Sequence, residues 1–342
     1  MPRLTRAGIL RVAAALAGVA IVACVPFAVT DRYLLRIFTL VGINVIVVAG
    51  LSLLFGYTGQ VSLGHASFVG LGAYGSAFLA MRGWPWPVAL LCGVALASVG
   101  GLLLALPSLR LKGHYLAMAT LGFGEIMFVF FENAESFTGG SDGLQGIPSA
   151  SIGPLSVSTA EGNYWLVWAF ACLTLVLVAN VVVRRPGRAL RAIHGSEMGA
   201  QACGVDTVAA KIQVFVVSAG LAGLAGALGA HYIGSISPSS YTLHRSVVLL
   251  TMVALGGSGS LSGAVGATLL LTLLPYADAI IPGLGRNASA FLQDWEPDIY
   301  GLVLICAMLF LPRGLAGVAA GIRKRIGAAL ASARPSGEGS TP

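Results

Sequence analysis

Apolar residues in this chain arrive in long unbroken runs, without the short alternation of a half-buried strand. The runs lie near 9–29, 37–55, 60–81, 87–109, 114–131, 163–183, 212–234, 246–255, 261–281 and 299–312. Most approach the roughly 20 residues that a helix needs to cross the hydrocarbon core of a bilayer. The run at 246–255 is too short to cross without its flanks, so it is expected to be re-entrant or broken and paired with the run after it. Backbone in lipid must satisfy its own hydrogen bonds, and helices do so within one segment. The pattern therefore predicts an all-α integral membrane protein of about ten transmembrane helices, some short or broken.

Composition agrees with that class. Of the 342 residues, 56% are hydrophobic and only 10% charged, against roughly 25% charged in soluble domains. The 46 glycines suit helices that approach closely through small side chains. A net charge of +7 could point to nucleic acid, but no nucleic-acid partner is expected once the charges are sorted by side. With ten crossings and the N-terminus inside, the inner segments hold 15 Lys and Arg and the outer ones 5, namely Arg32, Arg36, Arg82, Arg245 and Arg286. That is a strong positive-inside bias, and it places both termini in the cytoplasm. Arg3, Arg6 and Arg11 before an apolar run also fit a signal peptide, with IVAC at 21–24 near a lipoprotein cleavage pattern. The length of the run favours a retained first span. The five cysteines form no CxxC pair, and His65 and His114 lack companions at ligand spacing, so neither a metal site nor a cofactor is expected.

Two stretches break the apolar pattern. GYTGQVSLGHASFVGLGAYG at 56–75 scatters glycines and polar groups through what would otherwise be a helix start. Irregular backbone at membrane depth is tolerated where protein or a watery cavity surrounds it. Gln60, Ser62 and His65 are therefore candidates to line a translocation path, against the alternative of a close helix crossing. Gly56-x-x-Gly59-x-x-Ser62 has an echo in Gly256-x-x-Gly259-x-x-Ser262, which either reflects an internal repeat or the abundance of glycine. Glu125 is the one carboxylate well inside a predicted span, and a costly intramembrane charge makes it a fourth path candidate. The connector at 132–162 is rich in turn residues and carries Glu132, Glu135, Asp142 and Glu161. It reads as an acidic outer loop, able to meet an extracytoplasmic partner or simply to connect.

The second break is RRPGRALRAIHGSEMGAQACGVDTVAAK at 184–211. Arg184, Arg185, Arg188 and Arg191 are expected at the cytoplasmic end of the sixth span, near lipid headgroups. After Gly195 a short helix is predicted from Ser196 to Ala202, with Ser196 as N-cap, Glu197 in its first turn and Gly204 as the stop. A capped helix of that size can fit a cleft on another protein or lie on the membrane surface.

At these residues the chain resembles the LivM-type permeases of branched-chain amino acid ABC importers. The resemblance runs from about residue 30 to 318. It is carried by GYTGQVSLGHASF (56–68), RLKGHYLAMATLGFGEI (110–126), TGGSDGL (138–144), GRALRAIHGSEMGAQACGV (187–205), SAGLAGLAGAL (218–228) and PRGLAG (312–317). It implies a transmembrane permease domain over 1–318, with a periplasmic loop near 132–162, a coupling loop near 184–211 and a basic cytoplasmic tail over 319–342. Within the coupling loop it implies that Arg188, Arg191, Glu197, Ala200 and Gly204 meet an ATPase, although Glu197-Met198-Gly199-Ala200 departs from a plain Glu-Ala-Ala. The implied partners are a second, LivH-type permease, two ATP-binding cassette subunits and a periplasmic solute-binding protein, in a bacterial cytoplasmic membrane. Related members carry urea, amides or aromatic acids, so the resemblance leaves the ligand open.

The residues themselves agree that a motor must be separate. No GxxxxGK[ST] phosphate loop and no GK[ST] triplet occurs. A self-sufficient secondary carrier would need intramembrane coupling charges, and Glu125 stands alone. A membrane enzyme would need a nucleophile and base, paired carboxylates or HExxH, and none is found.

Overall fold

The structure, a computed structural model, describes residues 31–108, 113–152, 155–157, 159–257, 259–276, 295–310 and 314–317, with positions 24 and 26. Arg110, Lys112, most of the first apolar run and the tail at 319–342 fall outside the described residues.

Helix α1, Arg32–Leu51, opens on Asp31, whose carboxylate accepts from the Tyr33 amide at 2.8 Å. It continues without a break as a π-helix over Ser52–Tyr57. Together they form a 26-residue apolar span whose most apolar 18-residue stretch is 89% buried, so the apolar character runs around the whole helix. The remaining helices are α2 (His65–Met81), α3 (Trp86–Ser108), α4 (His114–Asn133), the single turn α5 (Glu135–Thr138), α6 (Ala160–Val183), α7 (Arg185–Gly195), α8 (Glu197–Ala202), α9 (Thr207–Ile233), α10 (Leu243–Gly256), α11 (Leu261–Leu273) and α12 (Glu296–Phe310). Among the described residues five helices are long and apolar enough to cross a membrane: α1 with its π-helix, α3, α4, α6 and α9.

Close packing of small residues holds the centre together. A Cβ built on Gly72 of α2 would strike the backbone of Gly223 on α9, and one on Gly226 would strike Val69. A Cβ on Gly93 of α3 would lie 2.5 Å from the Gly72 carbonyl. Three helices thus meet where only glycine fits, the small-residue packing that replaces hydrophobic burial as the glue in lipid. On the other side of α1, Trp168 of α6 donates its indole N–H to the Phe38 carbonyl at 3.1 Å.

The connector between α4 and α6 is not purely turn. Strand β1 (Leu144–Gln145) pairs antiparallel with β4 (Ser235–Ile236), with Leu144 opposite Ile236. Strands β2 (Ser151–Ile152) and β3 (Leu155–Ser156) form a second small ladder. His231 fastens this connector to the bundle. The Pro148 carbonyl, 2.7 Å from Nδ1, can only accept, so Nδ1 carries the proton and Nε2 accepts from Ser76 Oγ at 2.8 Å. The connector marks one end of the bundle, the strand end. Helices α7 and α8 mark the opposite, basic end.

Two helices begin at mid-depth, not at either end. The ring of His65, the first residue of α2, lies 3.5 Å from Ser218 Oγ, near the middle of the 27-residue α9. Helix α10 begins beside it, for Ser246 Oγ accepts from the Ala66 amide at 3.0 Å. Each is reached by chain outside the α-helices, Gly59–Gly64 before α2 and residues 234–242, which hold β4 and the 3-10 turn Pro238–Tyr241, before α10. The run expected at 60–81 is thus a shorter helix, His65–Met81, behind an irregular segment, and the short run at 246–255 lies in a 14-residue helix, Leu243–Gly256.

Candidate functional site

The irregular segment Gly59–Gly64 is positioned by contacts to two elements, α7 and α4. Gly59, at φ +73°, passes so close to His194 of α7 that an added Cβ would lie 2.9 Å from the ring nitrogen. Leu63 N–H donates to Thr120 Oγ1 of α4 at 3.0 Å, and a Cβ on Gly64 would strike the Thr120 carbonyl. Within this segment and at the first residue of α2, Gln60 Oε1, Ser62 Oγ and His65 Nδ1 are buried without a hydrogen-bond partner. An orphaned buried polar group costs about 1–3 kcal/mol. Three of them follow one another from the segment into the start of α2, where a polar molecule would stabilise them.

Glu125 is brought close in backbone but not in side chain. Gly124 packs against Gly64, while Glu125 itself is exposed. It stands near the middle of α4 in a stripe of exposed apolar residues, Tyr115, Met118, Ile126 and Val129. Ser62 and His65 are sealed inside the bundle. The four path candidates therefore divide into a buried pair, Ser62 and His65, the half-buried Gln60 and one outward-facing carboxylate. A charge at the bilayer centre costs about 2.5–3.5 kcal/mol on insertion scales, so this face of α4 belongs against protein or water. The echo motif lies alongside: Gly259, at φ +81°, would place a Cβ 3.8 Å from the Gly56 carbonyl. The two glycine loops stand side by side, each between the end of one helix and the start of the next.

At the basic end the local forecasts hold, and the arginines expected at the end of the sixth span lie on a helix of their own. Span six ends at Val183, and Arg185–Gly195 forms its own amphipathic helix with Gly187, Leu190 and Ile193 buried. Arg188 and Arg191 are thus on α7, exposed, and Arg191 donates to the Val182 carbonyl at 3.3 Å. The proline of RRPG explains the separate helix, because Pro186 starts a helix readily but cannot continue one. Ser196 caps α8, accepting from the Gly199 amide at 3.1 Å. Ala200 is buried beneath the helix, and Gly204 turns the chain at φ +78°. Glu197 is engaged within the chain: its carboxylate lies 2.6 Å from Lys211 Nζ of α9. Gln201 donates to Thr207 Oγ1 at 2.9 Å, so α8 is tied twice to the first turns of α9. Met198 projects from this small helix, 79% exposed.

Sequence reasoning missed one residue altogether. Arg245, counted among the outer charges, lies inside the bundle, where its guanidinium donates to Asn44 Oδ1 at 2.7 Å. Asn44 sits at the middle of the 26-residue span Arg32–Tyr57. The only signal was the shortness of the run that begins after it.

A family model described as the branched-chain amino acid transport system / permease component matches residues 33–311. The high-affinity branched-chain amino acid transport system permease protein LivM of Escherichia coli is 32% identical over 314 residues, covering 85% of this chain and 71% of that protein. The permease protein LivH of the same organism and system is 26% identical over 292 residues, covering 80% and 90%. The autoinducer 2 import system permease protein LsrC of Salmonella paratyphi B is 27% identical over 261 residues, covering 74% and 70%. No solved structure matches the chain. Spans buried by small residues, helices that start at mid-depth, and a match over most of the chain to permeases and to their family model lead to one conclusion: the chain is a multi-pass membrane protein of the branched-chain amino acid transport permease family.

Proposed function

We propose that this chain is the LivM-type permease subunit of an ATP-driven importer of branched-chain, neutral hydrophobic amino acids. The observation that carries the reading is the capped helix α8 with its exposed Met198, set beside the exposed arginines of α7 in a chain of this family that has no phosphate loop. A short rigid helix offering one apolar knob within a basic rim is suited to a cleft on a separate ATPase. The face of α4 that carries Glu125 is assigned to the LivH-type partner permease and the path between the two.

Force applied at α8 has a covalent and packed route into the bundle. Helix α7 directly precedes it, His194 of α7 abuts Gly59, and Gly59 begins the segment that carries Gln60 and Ser62 and leads to His65. Closure of the ATPase dimer would shift this segment between two arrangements, and the transported molecule biases them only through different affinity for each. In this reading α7 and α8 lie in the cytoplasm, the strand end faces a periplasmic solute-binding protein, both termini are cytoplasmic, and the membrane is the bacterial inner membrane. A second reading, the same machine carrying a different small solute, is favoured by the similarity to a permease of an autoinducer 2 import system.

The test is reconstitution of this chain with the LivH-type permease and ATPase subunits in proteoliposomes. Leucine-loaded binding protein is expected to stimulate ATP hydrolysis and leucine uptake together. Association of the ATPase without response to leucine transfers the reading to another solute, and the absence of any ATPase association refutes it.

A further inference from the structure

A cavity of about 410 Å³ opens among α1, α2, α9, α10, α11 and α12. Its walls are largely apolar, with Leu40, Ile43, Val69, Ile233, Val248 and Met252 among them. Among the described residues its lining holds no Asp or Glu, yet it contains Arg245. That guanidinium carries five N–H donors, and the contact resolved for it is one bond to Asn44 Oδ1. The Asn44 amide is oriented for this purpose, since its Nδ2 donates to Thr272 Oγ1 at 3.0 Å and leaves the oxygen toward the arginine. A neutral amide positions a cation without neutralising it.

The backbone adds to the same field. Arg245 sits in the first turn of α10, where the helix dipole is positive and a cation is disfavoured. Thr242, the N-cap residue of that helix, lines the cavity and makes no side-chain cap bond to it. A cation placed against a helix N-terminus, at the mid-length of a membrane span and with no carboxylate among the described lining residues, is arranged for an anion that comes from outside the chain.

We infer that this cavity is a binding site for a carboxylate ligand with a compact aliphatic body, with Arg245 gripping the carboxylate and the apolar wall taking the side chain. The inference rests on the amino-acid importer reading and narrows it. The α-carboxylate of a branched-chain amino acid fits both halves of the cavity, whereas urea and simple amides have no anionic group for Arg245. A membrane fatty acid carries the same chemistry, and the test separates the two.

Radiolabelled leucine binding is measured on the complete transporter complex in nanodiscs without binding protein. Saturable binding is expected, with leucinamide a poor competitor. Arg245→Gln should weaken binding at least ~30-fold, as removal of one partner from a buried charge-assisted pair does, and Arg245→Lys should fall between. Gly229→Phe gives a second view, because a Cβ there meets only Ile43 side-chain atoms at 3.9 and 4.0 Å and the ring would fill the cavity with the Arg245–Asn44 bond kept. Loss of binding in both variants supports the site. Equal affinity in wild type and Arg245→Gln, no saturable binding in a wild type that still imports leucine, or displacement by oleate and not by leucine would each overturn it. Failure of the importer reading is seen separately, as a wild-type complex that takes up no leucine even with loaded binding protein and ATP.

Discussion

Reversing the charge of Glu197 distinguishes two roles for the coupling helix. The carboxylate lies 2.6 Å from Lys211 Nζ, with the two side chains 27% and 15% exposed. Such a pair contributes about 1 kcal/mol, near the upper end for pairs that keep some contact with water. In Glu197→Lys the attraction is lost and a like-charge contact of similar size replaces it, a change of about 2 kcal/mol, or roughly 30-fold in the population of the docked orientation of α8. The bond from Gln201 to Thr207 keeps the helix from detaching altogether. ATP-driven leucine uptake by the reconstituted complex should fall about 10- to 30-fold on this reckoning, while ATP hydrolysis persists without stimulation by binding protein. Adding Lys211→Glu restores the pair in reverse and should recover most of the uptake, a coupling that a double-mutant cycle reads directly. If Glu197 instead contacts the ATPase, the reversed pair leaves the wrong charge on that surface and uptake stays low. Full uptake by Glu197→Lys alone would refute both roles.

Three other outcomes follow from the packing. Gly72→Leu drives a side chain into the Gly223 backbone, and overpacking by a single group already costs about 1–3 kcal/mol; the variant should be lost from the folded fraction in detergent size-exclusion, whereas Gly122→Leu, with open space around it, should remain. His231→Phe leaves the Pro148 carbonyl and Ser76 without their partner, at about 1–3 kcal/mol for each group left unpaired; limited proteolysis should then cut within 139–157 earlier than in the wild type. Glu125→Cys, in a background without the native cysteines, should react with a water-soluble methanethiosulfonate reagent in the assembled transporter, and complete protection from the reagent in membranes would place that face of α4 in lipid instead.

Much of this architecture is legible along the chain because hydropathy and capping are local quantities. A membrane span is a sum over about 20 neighbouring residues, so the spans now seen as α1, α3, α4, α6 and α9 could be outlined to within several residues. The α8 helix was equally readable, since a Ser cap, an acidic first turn and a glycine stop act within one or two turns of backbone. The irregularity of 56–64 was announced by its glycines, and the short helix at α10 by its short run.

What the chain alone left undecided depends on how helices are rotated and how deep each one begins. Hydropathy treats every face of a helix alike, so it could not tell that Glu125 looks outward while His65 is sealed. The partnership of Glu197 with Lys211 needs α8 folded back on α9, and the approach of His194 to Gly59 needs α7 tucked beneath α1. Arg245 is the clearest case. Its sequence neighbours place it in a connector, but the dip of residues 234–242 carries it to mid-depth against Asn44, 201 positions earlier. Local sums determined which segments enter the membrane; tertiary packing alone decided which polar groups meet there, because those meetings join residues whose separation along the chain carries no information about their distance in space.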